Sequence, residues 1–238
     1  MQDLAYKRVL LKISGESLSG AGGHGFCQAE INSIVARVSE ALKAGAEIAL
    51  VVGAGNLWRG LAGSKGGMDR VSADYMGMLA TAMNALCLRE AFRAAGAEAE
   101  VHSAVPMQPF VKQFDRDAAC RQLSEGGLVI FACGTGSPYF TTDTTAALRA
   151  LETRCQALLK ATKVNGIYSA DPMKDKSATR FERISYQEAL AKRLGVMDAA
   201  AFSLCYENKL PTIVFNFSEE GALLKVLRGD FSVGTLVS

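Results

Sequence analysis

The sequence predicts an α/β protein in which helices cover both faces of a mostly parallel β-sheet. Apolar, β-branched segments with the composition of strands alternate with amphipathic segments of helical spacing along the whole chain. Some strand segments are continuously apolar, as in Ile48–Val52, which is typical of a strand buried on both sides. We therefore expect a three-layer αβα sandwich that forms a single domain over residues 1–238.

Short patterns define the individual elements. Arg8–Ile13 is apolar and β-branched and is predicted as the first strand. A helix that ends before Gly45 has apolar residues at the three-and-four spacing, namely Ile31, Ile34, Val35, Val38 and Leu42. The later predicted strands are Ile48–Val52, Glu98–His102, Leu128–Cys133, Ala157–Ala161, Thr212–Asn216 and Thr235–Val237. The later predicted helices are Ala73–Ala95, one from Asp115 or Asp117 to Gly126, Thr142–Arg154, Tyr186–Leu194, Asp198–Asn208 and Glu219–Arg228. Asn165-Gly166 is a hairpin-turn signal.

The composition excludes several classes of protein. Apolar residues make up 49% and charged residues 21% of the 238, so the chain can bury a core and is not expected to be disordered. The net charge is +2 without a polybasic run, which argues against bulk nucleic-acid or membrane binding. The early apolar run Val9–Leu11 is interrupted by Lys12, so it is interpreted as a strand rather than a signal peptide. We expect a cytoplasmic protein.

Cysteine and histidine usage argues against zinc binding and against a catalytic triad. None of the six cysteines lies in a CxxC pair, and they are expected to be buried thiols in a reducing compartment: Cys27, Cys87, Cys120, Cys133, Cys155 and Cys205. His24 and His102 are the two histidines, and neither has an evident serine or cysteine partner.

Three glycine-rich turns each follow a predicted strand and indicate a phosphate-rich ligand. They are Lys12-Ile13-Ser14-Gly15-Glu16, Gly53-Ala54-Gly55-Asn56 and Gly134-Thr135-Gly136-Ser137. In open α/β sheets ligands bind beyond the carboxyl ends of the strands, where glycine lets backbone N–H groups approach an anion. The P-loop pattern GxxxxGK[ST] is absent, and Trp58 occupies the third-glycine position of a dinucleotide fingerprint. A kinase or phosphate binder of another lineage remains.

Charged residues lie near these turns. Lys12 ends a buried strand and is interpreted as a site residue rather than a lysine that only extends to solvent. Arg59 is equally explained as a phosphate ligand or a solvated loop arginine. Lys160 and Lys163 flank Thr162 at the end of a strand. Asp143 is also explained as an acid at a helix N-terminus, and Asp171, before Pro172, as a turn residue.

Such a site suits a nucleotide kinase. A phosphate monoester is already an anionic nucleophile near neutral pH, so its phosphorylation needs no general base. Catalysis then reduces to positioning and to neutralising the charge of the transferring group with lysines and Mg²⁺.

Segments along essentially the whole chain match one family. They are YKRVLLKISGE at Tyr6–Glu16, VGAGNLWRG at Val52–Gly60, MGMLATAMN at Met76–Asn84, GTGSPYFTTD at Gly134–Asp143, LKATKVNGIYSADP at Leu159–Pro172 and VMDAAAF at Val196–Phe202. With them the sequence resembles the bacterial UMP kinase (uridylate kinase) family of the amino acid kinase superfamily. The resemblance implies an amino acid kinase-like fold and transfer of phosphate from MgATP to UMP, a step toward UTP and CTP. It also implies a UMP-binding lobe of about 1–150 and an ATP-binding lobe of about 151–238.

The resemblance implies roles for individual residues. Lys12 and Lys163 are expected to stabilise the transferring phosphoryl group, and Asp143 to orient the catalytic lysines. Residues at ATP-binding positions are Lys12, Ile13, Ser14, Gly15, Gly55, Arg59, Thr162, Tyr168 and Asp171. Residues at UMP-binding positions are Ala54, Asp74, Thr135, Gly136, Ser137, Pro138, Tyr139, Phe140, Thr141 and Thr142. Of these, Asp74 is expected to contact the ribose. Mg²⁺ is expected to be carried by ATP, and no metal ligand is assigned to the protein.

The resemblance also implies regulation and assembly. The stretch linked to allosteric activation by GTP is Gly20, Ala21, Gly22, Gly23, His24 and Gly25. A homohexamer and feedback inhibition by UTP are expected. The chain departs from the family pattern at Ala54, where glycine is usual, and at Asn165, where aspartate is usual. It also departs at Gln156, where an acid is common, and at His24 in the GTP-linked stretch.

Two alternatives to a UMP kinase stay open. One is another kinase of the same superfamily, of the acetylglutamate or carbamate type. The other is a non-catalytic nucleotide sensor, against which the lysines at the catalytic positions argue.

Overall fold

The computed structural model describes residues 3–58, 67–170, 174–175, 177–195 and 197–238. The strands are β1 (Arg8–Ile13), β2 (Glu47–Val52), β3 (Ala99–Ser103), β4 (Lys112–Gln113), β5 (Leu128–Ala132), β6 (Ala157–Thr162), β7 (Arg183–Ile184), β8 (Thr212–Asn216) and β9 (Gly234–Val237). The α-helices are α1 (Gln28–Lys43), α2 (Arg70–Ala94), α3 (Arg116–Ser124), α4 (Thr142–Glu152), α5 (Tyr186–Ala191), α6 (Ala199–Glu207) and α7 (Ala222–Leu227). Two short 3₁₀ helices, Gly15–Leu18 and Phe231–Val233, complete the described elements.

The strands of the described chain form one sheet in the order β4-β3-β5-β2-β1-β6-β8-β9-β7. Every pairing is parallel except that of β8 with β9. β1 lies at the centre, between β2 and β6, and its register places Lys12 opposite Lys160 of β6. The carboxyl ends of β1, β2, β5 and β6 therefore meet along one edge of the sheet.

The core has one layer on each face of the sheet, as alternation along a strand requires. Val9, Leu11 and Ile13 of β1 pack into the layer formed by α1, α2 and α7, whereas Leu10 packs into the layer formed by α3 to α6. Since side chains alternate along a strand, Lys12 lies on the same face of the sheet as Leu10, which is the face that α4 covers. This arrangement confirms the predicted three-layer αβα sandwich.

Most predicted elements are confirmed, with shifted ends. Arg8–Ile13 and Thr212–Asn216 match the prediction, and Asp115 rather than Asp117 caps α3. The hairpin predicted at Asn165-Gly166 is wrong, because β6 pairs with β1 and β8 and the following segment makes an isolated bridge between Tyr168 and Arg180. The two-residue strands β4 and β7 were not predicted, since two residues carry no alternating pattern. The division into two lobes stays a prediction.

No helix among the described residues is both long enough and apolar enough to span a lipid bilayer.

Candidate functional site

Two of the glycine turns touch each other at the carboxyl edge of the sheet. The Gly53 amide donates a hydrogen bond of 2.9 Å to the Ile13 carbonyl. A Cβ atom on Gly15 would lie 2.5 Å from the Gly53 carbonyl oxygen and 2.6 Å from the Gly55 nitrogen. Only glycine at position 15 allows this approach, so the turn after β1 and the turn after β2 form one continuous surface.

Lys12, Asp143 and Lys160 form an ion-pair cluster beside that surface. Lys12 Nζ lies 2.7 Å from Asp143 Oδ1, and Lys160 Nζ lies 2.6 Å from Asp143 Oδ2. The side chains are 15%, 14% and 19% exposed, so all three still reach solvent. The cluster contains two positive charges against one negative charge and can attract a phosphate group.

The fold brings this cluster together through strand register. Lys12 and Lys160 are direct neighbours on β1 and β6, and both side chains lie on the face that α4 covers. Asp143 is the second residue of α4. Thr141 caps the N-terminus of this helix, because its side chain accepts hydrogen bonds from the Asp143 and Thr144 amides. A carboxylate in the first helical turn is favoured by the helix dipole and here meets both ammonium groups.

The second lysine that pairs with Asp143 differs from the one predicted, while the catalytic role predicted for Lys163 stays a prediction. Asp143 was expected to orient Lys12 and Lys163, but its second lysine partner is Lys160. Lys163 lies just beyond the end of β6, and its side chain is exposed. Strand alternation places Lys160 on the same face of the sheet as Lys12 and directs it toward Asp143.

The ionised form of Asp143 is favoured. Burial alone would raise the pKa of its carboxyl group, but the ammonium groups of Lys12 and Lys160 outweigh burial and hold the pKa below its usual value. The carboxylate is thus charged at neutral pH and holds both lysines in place.

A cavity of about 570 Å³, which we call the α2 cavity, opens beside α2 and contains most of the predicted UMP-binding positions. The predicted residues among its walls are Ala54, Asp74, Thr135, Ser137, Phe140, Thr141 and Thr142. Gly55, predicted for ATP, also lines this cavity. The loop residues Gly136, Pro138 and Tyr139 lie in the same loop beside the α2 cavity.

Hydrogen bonds from α2 and from the N-terminus of α6 hold the walls of the α2 cavity. Asp74 accepts a hydrogen bond of 2.8 Å from the Tyr139 amide and pairs with Arg70 Nε at 2.8 Å. The Arg70 guanidinium also lies 5.3 Å from the centre of the Tyr139 ring. Asp198 accepts hydrogen bonds from the hydroxyl groups of Thr141 and Thr144, and so joins the start of α6 to the start of α4.

A second cavity of about 590 Å³, the β6 cavity, lies beyond the end of β6. It contains Lys160 together with Thr162 and Tyr168, two of the predicted ATP-binding residues. Further walls come from the segment after α5: Lys192, Arg193, Leu194 and Gly195. Lys160 lines the β6 cavity while Asp143 directly follows Thr142 of the α2 cavity, so the ion-pair cluster connects the two.

The other predicted residues occupy varied positions. Ile13 is fully buried and offers only its backbone, and the Ser14 hydroxyl accepts a hydrogen bond from the Glu16 amide at 3.4 Å. Arg59 and Asp171 lie outside the described residues. The stretch from Gly20 to Gly25 is largely exposed and is joined to the turn after β2 by a 2.9 Å bond from the Gly25 amide to the Asn56 carbonyl.

Sequence reasoning missed several residues at the site. The sequence around Lys160 has no pattern that favours it over Lys163, and Asp198 lies in a matched segment without a signal of its own. Arg70 carried a usable signal, since it precedes Asp74 by one helical turn. The segment Lys192–Gly195 has no such signal in the sequence, because only the tertiary fold brings it to the wall of the β6 cavity.

The carboxylates at the site bear on the Mg²⁺ that is expected to arrive with ATP. No group of three or more His, Cys, Asp or Glu side chains with metal-binding geometry occurs among the described residues. Asp143, the carboxylate between the cavities, has an ammonium group beside each of its oxygens. The expectation that ATP carries the Mg²⁺ stays a prediction.

Comparisons with known proteins match most of the chain. Residues 7–216 match the model of a family described as the amino acid kinase family. The UMP kinase of Bacillus anthracis superposes with a TM-score of 0.95 and 35% identity over 98% of this chain and 96% of that one. The UMP kinase of Ureaplasma parvum superposes with a TM-score of 0.92 and 35% identity, and the match covers 98% of both chains. The uridylate kinase of Archaeoglobus fulgidus superposes with a TM-score of 0.72 and 28% identity, and the match covers 97% of this chain and 99% of that chain.

Proposed function

The chain belongs to the amino acid kinase family, and from this premise we propose that it transfers the γ-phosphate of ATP to UMP, which yields ADP and UDP. The near full-length similarity to UMP kinases at 35% identity supports this choice over the acetylglutamate or carbamate kinase type. The UDP formed leads toward UTP and CTP.

The observation that carries the proposal is the Lys12–Asp143–Lys160 cluster between two nucleotide-sized cavities. The UMP phosphate is an anionic nucleophile, so the protein has no proton to remove. The two ammonium groups neutralise charge on the phosphoryl group as it passes between the nucleotides, and Asp143 holds them at the correct spacing.

Each cavity is assigned one substrate. UMP occupies the α2 cavity, with its phosphate toward the Thr135–Thr142 loop and its ribose near Asp74. ATP occupies the β6 cavity, with its adenine near Thr162 and Tyr168 and its phosphates toward Lys12 and Gly15. This arrangement directs the two phosphates at each other across the cluster.

Mg²⁺ is proposed as the cofactor, bound through the phosphates of ATP. When bound, it withdraws charge from the phosphate oxygens of the donor. Lys12 and Lys160 act on the oxygens that the ion leaves free. Removal of Mg²⁺ by EDTA should abolish turnover, and added Mg²⁺ should restore it.

Coupled measurement of ADP release with UMP tests the proposed reaction. Rapid release with UMP, and little with CMP, acetylglutamate, aspartate or carbamate, supports a UMP kinase. Faster release with acetylglutamate or carbamate would assign the chain to another kinase of the family. Release at background with every acceptor, despite measurable ATP binding, would indicate a nucleotide sensor. Lys12→Ala serves as the inactive control.

A homohexamer is also proposed, and exposed apolar surfaces support it. One face of α2 presents Tyr75, Met76, Leu79 and Met83, which are 39–55% exposed. A second apolar surface on α5 and α6 includes Leu190 and Tyr206. A closed hexamer of identical chains uses more than one kind of contact surface, and two are available. Light scattering should give six times the chain mass, and Leu79→Asp should lower it.

Regulation and compartment complete the proposal. GTP is expected to raise the rate through the stretch from Gly20 to Gly25, and UTP to lower it; both effects are measurable in the same ADP assay. All six cysteines are free thiols, which suits the reducing cytoplasm as the compartment.

A further inference from the structure

Two completely buried asparagines lie behind the touching glycine turns. Asn56 ends the turn after β2 and Asn84 lies in the middle of α2, and both are 0% exposed. Asn56 Nδ2 donates to Asn84 Oδ1 at 3.0 Å, and Asn84 Nδ2 donates to Asn56 Oδ1 at 2.7 Å. Burial of two amide groups in a core destabilises the fold unless every N–H group has a hydrogen-bond acceptor.

Every N–H group of the pair has a partner. Besides the bond to each other, Asn84 Nδ2 donates to the Gly53 carbonyl at 2.7 Å and Asn56 Nδ2 donates to the Gly25 carbonyl at 3.0 Å. The two carbonyls also determine which way each amide points, because a flipped amide would place oxygen against oxygen. Aspartate, leucine or threonine could not supply these four donors.

The pair reaches both turns that contact each other. It holds the Gly53 carbonyl directly, and Asn56 Oδ1 lies 2.8 Å from the position that a Cβ on Gly15 would take. The position of Gly55 relative to Gly15 is therefore set by a hydrogen-bonded anchor on α2 and not only by contact between the two turns.

We propose that Asn56 and Asn84 are positioning residues that fix the spacing between the turn after β1 and the turn after β2, and thereby the alignment of the two phosphates. The inference rests on the proposed function, in which Gly15 contacts the donor and Ala54 the acceptor. Neither asparagine touches substrate; they act through the backbone of Gly53 and Gly55. Displacement of reacting groups by about 1 Å is enough to slow a reaction about a hundredfold.

The pair also ties the stretch from Gly20 to Gly25 to the same backbone. Asn56 holds Gly25 twice, through its side-chain amide to the Gly25 carbonyl and through its own carbonyl from the Gly25 amide. A shift of this stretch is thus transmitted to the turn after β2 through Asn56.

Kinetics of Asn84→Leu and of the double variant Asn56→Leu/Asn84→Leu test the proposal. The double variant removes both amides together, so neither amide is left buried without the other, and only the Gly53 and Gly25 carbonyls lose their donors. We expect kcat to fall at least about thirtyfold, whereas the Kd for UMP alone and for ATP alone changes less than about threefold. Thr153→Val is the matched control, because it removes a buried hydrogen bond, to the Arg149 carbonyl, at the far end of α4.

The result that would overturn the proposal is a folded leucine variant with kcat within threefold of wild type, or an equal loss of kcat in Thr153→Val. If both leucine variants aggregate, Asn84→Ser is measured in their place. Serine is too short to reach both partners and adds no volume, so the same loss of kcat is expected, and normal kcat would overturn the proposal equally.

Hydrogen exchange separates this inference from the proposed function. In the leucine variants the amides of residues 20–25 and 53–57 should exchange faster than in wild type, whichever acceptor the enzyme uses. Unchanged exchange in these segments would contradict the positioning role. A wild-type enzyme inactive with UMP but showing the exchange effect would contradict the proposed function alone.

Discussion

The α2 cavity and the β6 cavity differ in how their walls are held. In the α2 cavity, charged side chains connect distant segments: Asp74 binds the Tyr139 amide 65 residues away, and Asp198 binds Thr141 57 residues away. In the β6 cavity, the bonds described end chiefly on backbone groups, as in the bond of 3.1 Å from the Thr162 hydroxyl to the Phe215 carbonyl. The walls of the α2 cavity are thus held by carboxylates, whereas this bond in the β6 cavity joins two neutral groups.

This difference indicates where selectivity lies. Loss of a charged hydrogen-bond partner costs more free energy than loss of a neutral one, so the α2 cavity is the more sensitive to a change in its carboxylates. The α2 cavity should therefore select the acceptor strictly, and the β6 cavity should accept changes in its lining with smaller losses. The cluster between the cavities serves both and should be the most sensitive of the three.

The largest effect is expected at the cluster. Lys12→Ala and Lys160→Ala should each lower kcat about a hundredfold or more, because each removes a charge that stabilises the transferring group. Lys163→Ala, three residues further along, is the matched comparison and should lose less than about threefold. A greater loss from Lys163 than from Lys160 in steady-state ADP release would reverse the assignment made from strand parity.

A smaller effect, restricted to one substrate, is expected at Asp74. Asp74→Asn keeps the size of the side chain but removes the charge that pairs with Arg70, so the KM for UMP should rise about tenfold and the KM for ATP less than about twofold. Thr162→Val on the other side should raise the KM for ATP about threefold and leave that for UMP unchanged. Equal changes in both KM values for either variant would contradict the assignment of UMP and ATP to separate cavities.

The cluster also contributes to stability in a pH-dependent way. The pKa of Asp143 is lower in the folded protein than its ordinary value of 3.8, so the carboxylate stabilises the fold at neutral pH. That contribution is present above about pH 4 and is lost as the pH falls through the folded-state pKa.

Thermal unfolding of the nucleotide-free protein measures this contribution. Asp143→Asn should lower Tm at pH 7 by about 2–8 °C, or about 1–2 kcal/mol, and the difference from wild type should shrink in acid. Asp117→Asn, whose carboxylate is 73% exposed, should leave Tm unchanged. A Tm difference for Asp143→Asn that grows in acid would contradict the depressed pKa.

The smallest effect is expected at Ala54, where the resemblance to UMP kinases implies a glycine. Ala54 does not have positive φ, so its methyl group causes no backbone strain. Ala54→Gly should change kcat and both KM values by less than about twofold. A gain in kcat of about tenfold would instead indicate that the methyl group obstructs the acceptor.

The sequence allowed the layers of the fold to be predicted, but not all pairs within the site. Continuously apolar segments such as Ile48–Val52 indicated a buried parallel sheet, and the glycine turns indicated its ligand-binding edge. The choice between Lys160 and Lys163 depended on where β6 ends and on which face of the sheet α4 covers, and both follow from tertiary packing. The Asn56–Asn84 pair joins residues 28 positions apart and follows from the packing of α2 on the sheet.

The most direct test of the account is a crystal structure with UMP and a non-hydrolysable ATP analogue bound together. The account predicts UMP in the α2 cavity, the analogue in the β6 cavity, and Lys12 Nζ and Lys160 Nζ each within about 3 Å of oxygens on the γ-phosphate. Nucleotides bound elsewhere, or a γ-phosphate held by Lys163 while Lys160 stays remote, would contradict it.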